Sequence, residues 1–344
     1  MKAQTYSSTH ACHDSGQDGS ASIQEASYFM EIFTGNPNVS HSSFLFTGFS
    51  GITDHRSLLS IPFLIIYTHI MVSNLVMVYR IVVDTTLQSP MYLLISLLFL
   101  VNVACTTTFM PKFILGLTFD LNQITLSGCL VQMWFIYVIV TFESTVILLM
   151  ALDRYVAICK PLRYHDIMTN RFLSQLTWVS LARSVILMTP IIYLDSRVKF
   201  CKSNVILNFV CENMGLLKLA CGDISGIQAI GLIVRMAITV VDGSLLLISY
   251  LIILHTAMFV LKQSRSKALN TCSSHIFVAL SIYASSILSA LIYRLETSVS
   301  VDIQNLTSAI YFLFPATINP IIYGVRVKEI WLSLKKMSES VLTS

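Results

Sequence analysis

Long apolar stretches alternate with short polar segments along most of the chain. Each stretch approaches or exceeds the roughly 20 residues that a helix needs to cross a bilayer. They predict seven membrane-spanning helices, over residues 59–83, 91–117, 124–156, 173–194, 225–261, 268–293 and 304–324. The fold class we expect is therefore an all-α membrane protein, a seven-transmembrane helix bundle embedded in the lipid bilayer.

The composition excludes a large soluble fold. Of the 344 residues, 55% are hydrophobic and 12% are charged, and the mean hydropathy is +0.72. A soluble domain carries roughly 25% charged residues, so this chain lacks the polar surface that water requires. The net charge of +4 is spread out, and no basic run indicates a nucleic-acid partner.

The cations between the apolar stretches predict the orientation. Lysines and arginines are concentrated in residues 160–171, 262–267 and 326–336, which share one side if seven helices alternate. Segments on the cytosolic side of a membrane are enriched in these residues. We therefore expect that side to be cytosolic and the N-terminus to lie outside the plasma membrane.

This orientation divides the chain into an extracellular tail, a bundle and a cytoplasmic tail, which are residues 1–58, 59–324 and 325–344. Met30 is an alternative start, which would make residues 1–29 an upstream extension. The triplet that begins at Asn38 (Asn-Val-Ser) is a glycosylation acceptor on the outer tail.

The segment that follows the last span combines cations with apolar residues. Ile330, Trp331 and Leu334 are spaced among lysines in residues 326–336. Such a pattern is typical of a helix that lies on a membrane, with its apolar face down and its cations near anionic headgroups. We expect a short amphipathic helix on the inner leaflet.

A charged tripeptide, Asp153-Arg154-Tyr155, ends the third predicted span at its cytosolic mouth. A neighbouring carboxylate can hold an arginine in one arrangement, and release of the arginine frees its donors for another partner. This is the chemistry of a switch between two packings that a ligand can bias.

The sequence around this tripeptide carries a family resemblance. Residues 150–164 read MALDRYVAICKPLRY, which resembles the MAYDRYVAICxPLRY signature of vertebrate odorant receptors, a branch of the rhodopsin-like G protein-coupled receptors. Further agreement comes from Pro90-Met91-Tyr92, Ser249-Tyr250, residues 267–275 (KALNTCSSH) and residues 319–324 (NPIIYG). The resemblance covers residues 38 to 336, and the sequences of these motifs favour the class I, fish-like branch.

The resemblance implies a function. A small-molecule odorant binds in the outer half of the bundle, and a heterotrimeric stimulatory G protein, which raises cyclic AMP, binds at the cytosolic face. The residues that would form the activation switch and couple the receptor to the G protein are Asp153, Arg154, Tyr155, Tyr250, His275, Asn319, Pro320 and Tyr323. A receptor of this kind is not an enzyme, and we expect neither a cofactor nor a metal.

Two departures from the family pattern concern the middle of the bundle and the switch. Asn102 stands where the second span usually has an aspartate, and Leu152 replaces the tyrosine of the signature. Glu143 in the third span and Asn102 define a polar centre, with Asn319 nearby. Two interpretations stay open: the centre holds water or a cation, or Glu143 is protonated and hydrogen-bonded as part of the packing.

Seven of the eight cysteines fall into two groups. Cys129 begins the third span on the outer side, and Cys201, Cys211 and Cys221 lie in the long outer loop; spacing alone leaves their pairing open. The resemblance implies the pairs Cys129–Cys211 and Cys201–Cys221. Three of the others, Cys105, Cys159 and Cys272, are interpreted as small buried hydrophobes.

Helical periodicity nominates residues for the ligand site. Counting back from Arg154 and along the sixth and seventh spans gives Ile136, Tyr137, Val140, Thr141, Tyr283, Ile287, Ala290, Arg294, Ser308 and Phe312. Arg294 at the outer mouth suits a carboxylate, since a guanidinium binds one through two parallel hydrogen bonds. The alternative is an arginine that reaches water or pairs with Glu296.

Arg235 and Asp242 lie two turns apart on one face of the fifth span, where they could pair through neighbours or with other helices. We interpret them as structural.

Other classes of membrane protein fit poorly. A retinal protein needs a lysine in the last span, and residues 304–324 contain none. Neither the inverted repeat of many transporters nor the HExxH and GxSxG patterns of hydrolytic enzymes is present. The remaining alternative is a receptor for an endogenous metabolite or peptide outside olfactory tissue, which expression and a ligand screen would separate from an odorant receptor.

Overall fold

The structure is a computed structural model that describes residues 40–49, 56–258, 262–294 and 299–343. Asn38 and Glu296 lie outside these residues. The side chains of Ala257, residues 262–271, Ala290, Tyr293, Arg294, Ser338 and residues 340–343 are also outside the described part, although their backbone belongs to a helix.

Seven helices of the described chain are long and apolar enough to cross a membrane, which confirms the predicted fold class. They are α1 Ser60–Val83, α2 Pro90–Phe119, α3 Leu126–Cys159, α4 Asn170–Ser196, α5 Ser225–Met258, α6 Lys262–Arg294 and α7 Val301–Arg326. An eighth helix, α8, spans Lys328–Thr343.

The helix ends show why the predicted boundaries shift by a few residues. We expected the third span to begin at residue 124, but Thr125 is the N-cap of α3, and its side chain accepts a hydrogen bond from the Gly128 amide. Threonine stabilises a helix start in this way because it satisfies an otherwise unpaired N–H group. Helix α6 begins at Lys262, earlier than its apolar part, because its polar first turns are helical as well.

Three short strands form a sheet at the end of the bundle where α1 begins, which we call the strand end. Strand β1 (Ser43–Phe46) pairs antiparallel with β2 (Gln123–Thr125) and parallel with β3 (Val205–Ile206). Phe44 and Phe46 of β1 are buried beneath the sheet. The last part of the predicted tail is therefore packed against the bundle.

Helix α3 occupies the centre of the bundle and packs against α2, α4, α5 and α6. The outer ring is closed by α1 and α7, which pack against α2 and α6 respectively and also against each other. The opposite end of the bundle holds Asp153 and Arg154, and we call it the Arg154 end.

Helix α8 follows α7 at the Arg154 end, as predicted, but Ile330 does not lie on the apolar face that we expected to contact the membrane. Ile330 is fully buried and belongs to the same hydrophobic cluster as Tyr323 and Val327, instead of facing the membrane. Ser333 of α8 is buried as well. It accepts a hydrogen bond from Arg80 Nη2 (2.8 Å) and donates one to Asp84 Oδ2 (2.7 Å). Helix α8 is thereby fixed to the end of α1.

Candidate functional site

The charged tripeptide forms a compact network at the Arg154 end. Arg154 Nε donates to Asp153 Oδ2 at 2.9 Å, and Arg154 Nη2 bonds to the same oxygen. The hydroxyl of Tyr164 donates to the other carboxylate oxygen at 2.8 Å. Burial, together with the neighbouring Asp153 carboxylate, raises the pKa of Tyr164. Among the described residues, the side chains that hold Asp153 therefore come from the short stretch Arg154 to Tyr164.

Most of the other predicted switch residues lie at the same end. The hydroxyl of Tyr323 and Nδ1 of His275 are 3.2 Å apart, and both side chains are buried. Tyr250 belongs to the same hydrophobic cluster as Tyr323, and Tyr155 packs against it. The structure thus joins residues of α3, α5, α6 and α7 around the network of Arg154.

Asn319 and Pro320 lie one turn above Tyr323 on α7. Both are buried. Within the described residues, neither side-chain atom of Asn319 has a hydrogen-bond partner. Their predicted part in the switch stays a prediction.

A second charged network crosses the middle of the bundle. Arg183 of α4 forms two hydrogen bonds with Asp242 of α5, from Nη2 to Oδ1 at 2.8 Å and from Nη1 to Oδ2 at 3.1 Å. Ser144 of α3 donates to Asp242 Oδ2 (2.8 Å), and its hydroxyl lies 3.0 Å from that of Tyr283 on α6. Four helices are joined around one carboxylate.

This network settles the partner of Asp242. Of the alternatives open for it, pairing with another helix is the one that the structure shows. Arg183 was not among the predicted residues, although a lone arginine in the middle of an apolar span was an available signal.

The two residues of the predicted polar centre, Asn102 and Glu143, have different surroundings, and whether the centre holds water or a cation stays a prediction. Asn102 donates to Asn74 Oδ1 of α1 (3.0 Å), and Asn74 donates to the carbonyls of Ile70 and Ala316. Asn74, which the sequence analysis missed, therefore links α1, α2 and α7. Glu143 is buried, and its Oε1 has no hydrogen-bond partner among the described residues.

Two disulfide bonds hold the long segment between α4 and α5 at the strand end. Cys129 is bonded to Cys211, and Cys201 to Cys221. These are the pairs that the resemblance implies. Cys105 and Cys272 are buried, and Cys159 is partly exposed.

The segment is also hydrogen-bonded to α3. Gln132 accepts from the Cys211 amide (3.1 Å), and the hydroxyl of Tyr137 accepts from the Asn213 amide (2.9 Å). The segment therefore covers this end of the bundle.

The residues nominated for ligand binding separate into packed and accessible ones. Ile136 and Phe312 belong to one buried cluster, in which Phe312 lies 5.3 Å from the ring of Phe109, and Thr141 and Ser308 are buried too. Tyr137 and Val140 of α3 are partly exposed.

On α6, Tyr283 is partly exposed and bonded to Ser144, and Ile287 lies about one turn further along, on the same side of the helix, with 51% of its surface exposed. Ala290 and Arg294 continue α6 toward the strand end. The ligand site of these residues stays a prediction.

Comparison with known proteins supplies the remaining observation. A family model described as "Olfactory receptor" matches residues 63–340, which include all seven spans almost completely. The chain belongs to the olfactory receptor family.

Curated relatives of this receptor support the assignment over nearly their whole length. It is 37% identical to human Olfactory receptor 52K1 over 288 residues, covering 83% of this chain and 92% of the relative. It is 39% identical to human Olfactory receptor 52B6 over 293 residues (85% and 87%), and 35% identical to mouse Olfactory receptor 51E2 over 294 residues (85% and 92%). Receptors numbered 51 and 52 are of class I, in agreement with the predicted branch.

Family membership and the seven apolar helices make this receptor a multi-pass membrane protein of the G protein-coupled odorant class. The resemblance that the motifs indicated is confirmed.

Proposed function

We propose that this receptor lies in the plasma membrane with its N-terminus outside, binds a small odorant in the outer half of the bundle, and activates a stimulatory G protein. The observation that carries the proposal is the Asp153–Arg154 pair, because among the described residues the side-chain hydrogen bonds of Asp153 go to Arg154 and Tyr164 and to no other membrane-spanning helix. A ligand can therefore bias this pair without unfolding a helix.

Two independent features support the orientation. Disulfides persist in oxidising surroundings, and both lie at the strand end. The cations of residues 160–171 and 326–336 lie at the Arg154 end, which suits the cytosol. The strand end would then face outward and the Arg154 end inward.

The mechanism follows from the two networks. An odorant that contacts α3 and α6 near Tyr283 favours an arrangement in which the inner end of α6 moves away from α3. Arg154 then leaves Asp153, and Tyr250 and Tyr323 help to hold the opened state. The groove that opens between residues 160–171 and the inner end of α6 admits the G protein.

A cyclic AMP reporter assay in cells tests this function. The receptor is screened against carboxylic acids, amines, amino acids and steroids, and an Arg154→Ala variant of equal surface abundance is the control. We expect at least one class of odorant to raise cyclic AMP in the wild type and not in the variant. An equal response of the variant would contradict the role of Arg154.

Epitope tags test the orientation separately. A tag at the N-terminus should be reached by antibody on intact cells, and one at the C-terminus only after permeabilisation. Detection of both tags on the same face would exclude the proposed arrangement.

A further inference from the structure

The segment between α4 and α5, residues 197–224, lies over the strand end of the bundle, and we call it the covering segment. On one side it is attached to α3 by the disulfide between Cys129 and Cys211. Beside this disulfide, the Cys211 amide donates a hydrogen bond to Oε1 of Gln132 on α3 at 3.1 Å. A covalent bond therefore fixes this side of the covering segment.

On the side of α7 the attachment is made by hydrogen bonds. Asn305, in the second turn of α7, is 1% exposed, and its Nδ2 donates to two carbonyls. One belongs to Leu207 of the covering segment (3.1 Å) and the other to Gly48 of the N-terminal tail (2.9 Å). Helix α7 contains no cysteine, so no disulfide secures this side.

The N-terminal tail holds the same part of the covering segment through its backbone. Strand β1 of the tail pairs with β3 of the covering segment. The Leu45 amide donates to the Asn204 carbonyl (2.8 Å), and the Thr47 amide donates to the Ile206 carbonyl (3.1 Å). We call these two bonds, together with the two bonds of Asn305, the latch.

The latch lies above residues that were nominated for the ligand. Phe209 of the covering segment is 1% exposed and belongs to the hydrophobic cluster that contains Ile136 and Phe312. The ring of Phe209 lies 6.0 Å from that of Phe109 and 5.0 Å from that of Phe113, both on α2. While the latch is closed, the covering segment separates this cluster from the outside.

The two sides of the covering segment differ in how readily they open. A disulfide persists in oxidising surroundings, whereas the net cost of exchanging a hydrogen bond with water is small. Native proteins open locally where the stabilising contacts are weakest. The covering segment should consequently open on the side of α7 and stay attached to α3.

We propose that the covering segment is a lid, hinged at the Cys129–Cys211 disulfide and latched to α7 by Asn305, and that its opening on the side of α7 admits the ligand from outside. This inference rests on the ligand cavity and the orientation of the proposed function, and it adds the route by which a ligand enters.

Hydrogen exchange of the purified wild-type receptor tests the lid without a ligand or a substitution. The amides of Leu45 and Thr47, at the latch, are compared with those of Cys211 and Asn213, at the hinge, where the Asn213 amide donates to the hydroxyl of Tyr137 (2.9 Å). After correction for intrinsic rates, the latch amides should exchange roughly tenfold faster or more. Equal exchange, or faster exchange at the hinge, would overturn the inference.

A cysteine beneath the latch measures opening by a second route. Ala309 lies one turn along α7 from Asn305, is 6% exposed and belongs to the same cluster as Phe209, so Ala309→Cys is a small change. The purified receptor is treated with a charged methanethiosulfonate, and mass spectrometry measures the labelling of each cysteine. The natural Cys272, buried at the Arg154 end, reports any general loss of packing.

In this background, Asn305→Leu keeps the size of the side chain and removes two hydrogen bonds of the latch. We expect the introduced cysteine to be labelled roughly tenfold faster or more, because the population of the open lid rises by the factor that two lost bonds imply. Thr307→Val is the matched control on α7, since the Thr307 hydroxyl donates to the Ile303 and Gln304 carbonyls of its own helix. It should leave the labelling rate unchanged.

An unchanged labelling rate in a well-folded Asn305→Leu receptor would contradict the latch. Equal acceleration at Cys272 would also contradict it, because that result indicates a structural role for Asn305. If Asn305→Leu does not fold, the exchange comparison in the wild type decides. Neither measurement needs an agonist or a G protein, so a receptor that opens at the latch but never raises cyclic AMP would contradict the proposed coupling and leave the lid intact.

Discussion

Two of the arginine–aspartate pairs among the described residues, Arg183–Asp242 and Arg154–Asp153, differ in what surrounds them. Arg183 and Asp242 come from different helices and share two hydrogen bonds, and Ser144 of a third helix adds another. Arg154 and Asp153 are adjacent in sequence, and the further partner of Asp153 is Tyr164, eleven residues along.

The difference indicates which pair holds the bundle and which can switch. Loss of the Arg183–Asp242 pair would leave a carboxylate that is 2% exposed without its counter-charge in the middle of the membrane, which is strongly unfavourable. Loss of the Arg154–Asp153 pair leaves Asp153 bonded to Tyr164 and, among the described residues, breaks no ion pair between two helices. We infer that the first pair is an anchor and the second a switch.

The largest expected effect is that of Arg183→Ala. It leaves Asp242 buried without its ion-pair partner, and we expect a loss of about 3 kcal/mol in the free energy of unfolding, at the lower end for buried pairs because Arg183 is 30% exposed. Thermal unfolding of the purified receptor and its surface abundance in cells measure the loss. Arg197→Ala is the control, and stability equal to that of the control would show that the pair is no anchor.

Tyr283→Phe should lower stability less than Arg183→Ala does. It tests whether the network around Asp242 also restrains the movement of α6 that frees Arg154. It removes the hydrogen bond between α6 and Ser144, worth about 1 kcal/mol, while it keeps the ring. Because this bond holds α6 against α3, its loss should raise basal cyclic AMP roughly fivefold. Basal signalling equal to the wild type would mean that the bond does not oppose the movement of α6.

The smallest effect on signalling is expected at α8. Ser333→Ala removes the bonds to Arg80 and Asp84, and should lower stability by about 1 kcal/mol without altering ligand response. Hydrogen bonds from Ser333 and Thr86 lower the pKa of Asp84 from 3.8 to about 2. A lowered pKa stabilises the folded state above pH 3.8, and this contribution is lost as the pH falls toward 2.

In Ser333→Ala the pKa of Asp84 should rise toward 3.8, so the loss of stability in acid should become smaller. Thermal unfolding of both proteins across this pH range measures the difference. An unchanged pH dependence would show that Ser333 does not hold Asp84.

Much of the fold could be predicted because lipid imposes simple demands on the sequence. A span needs a long apolar run, and each of the seven runs became a helix within a few residues of the predicted ends. The three-stranded sheet could not be predicted in this way. Its strands are two to four residues long, and their pairing depends on where the covering segment lies.

The candidate site was predictable only in part. Periodicity placed Asp242 on one face of the fifth span with Arg235, but it could not choose Arg183 as the partner of Asp242, because that choice depends on how α4 and α5 are rotated. It also nominated Ile136 for the ligand site, where the side chain is fully buried in a hydrophobic cluster. Asn74 was missed because the sequence does not show which residue a single amide in an apolar span will contact.

The most direct test of the switch is basal cyclic AMP in the absence of odorant, measured for Asp153→Asn beside Asp242→Asn and normalised to surface receptor. We expect Asp153→Asn to fold as the wild type does and to raise basal cyclic AMP about tenfold, because Arg154 loses a charged partner worth about 1.4 kcal/mol. Asp242→Asn should lose surface abundance and gain no basal activity. Wild-type basal activity in a well-folded Asp153→Asn receptor would contradict the division into an anchor and a switch.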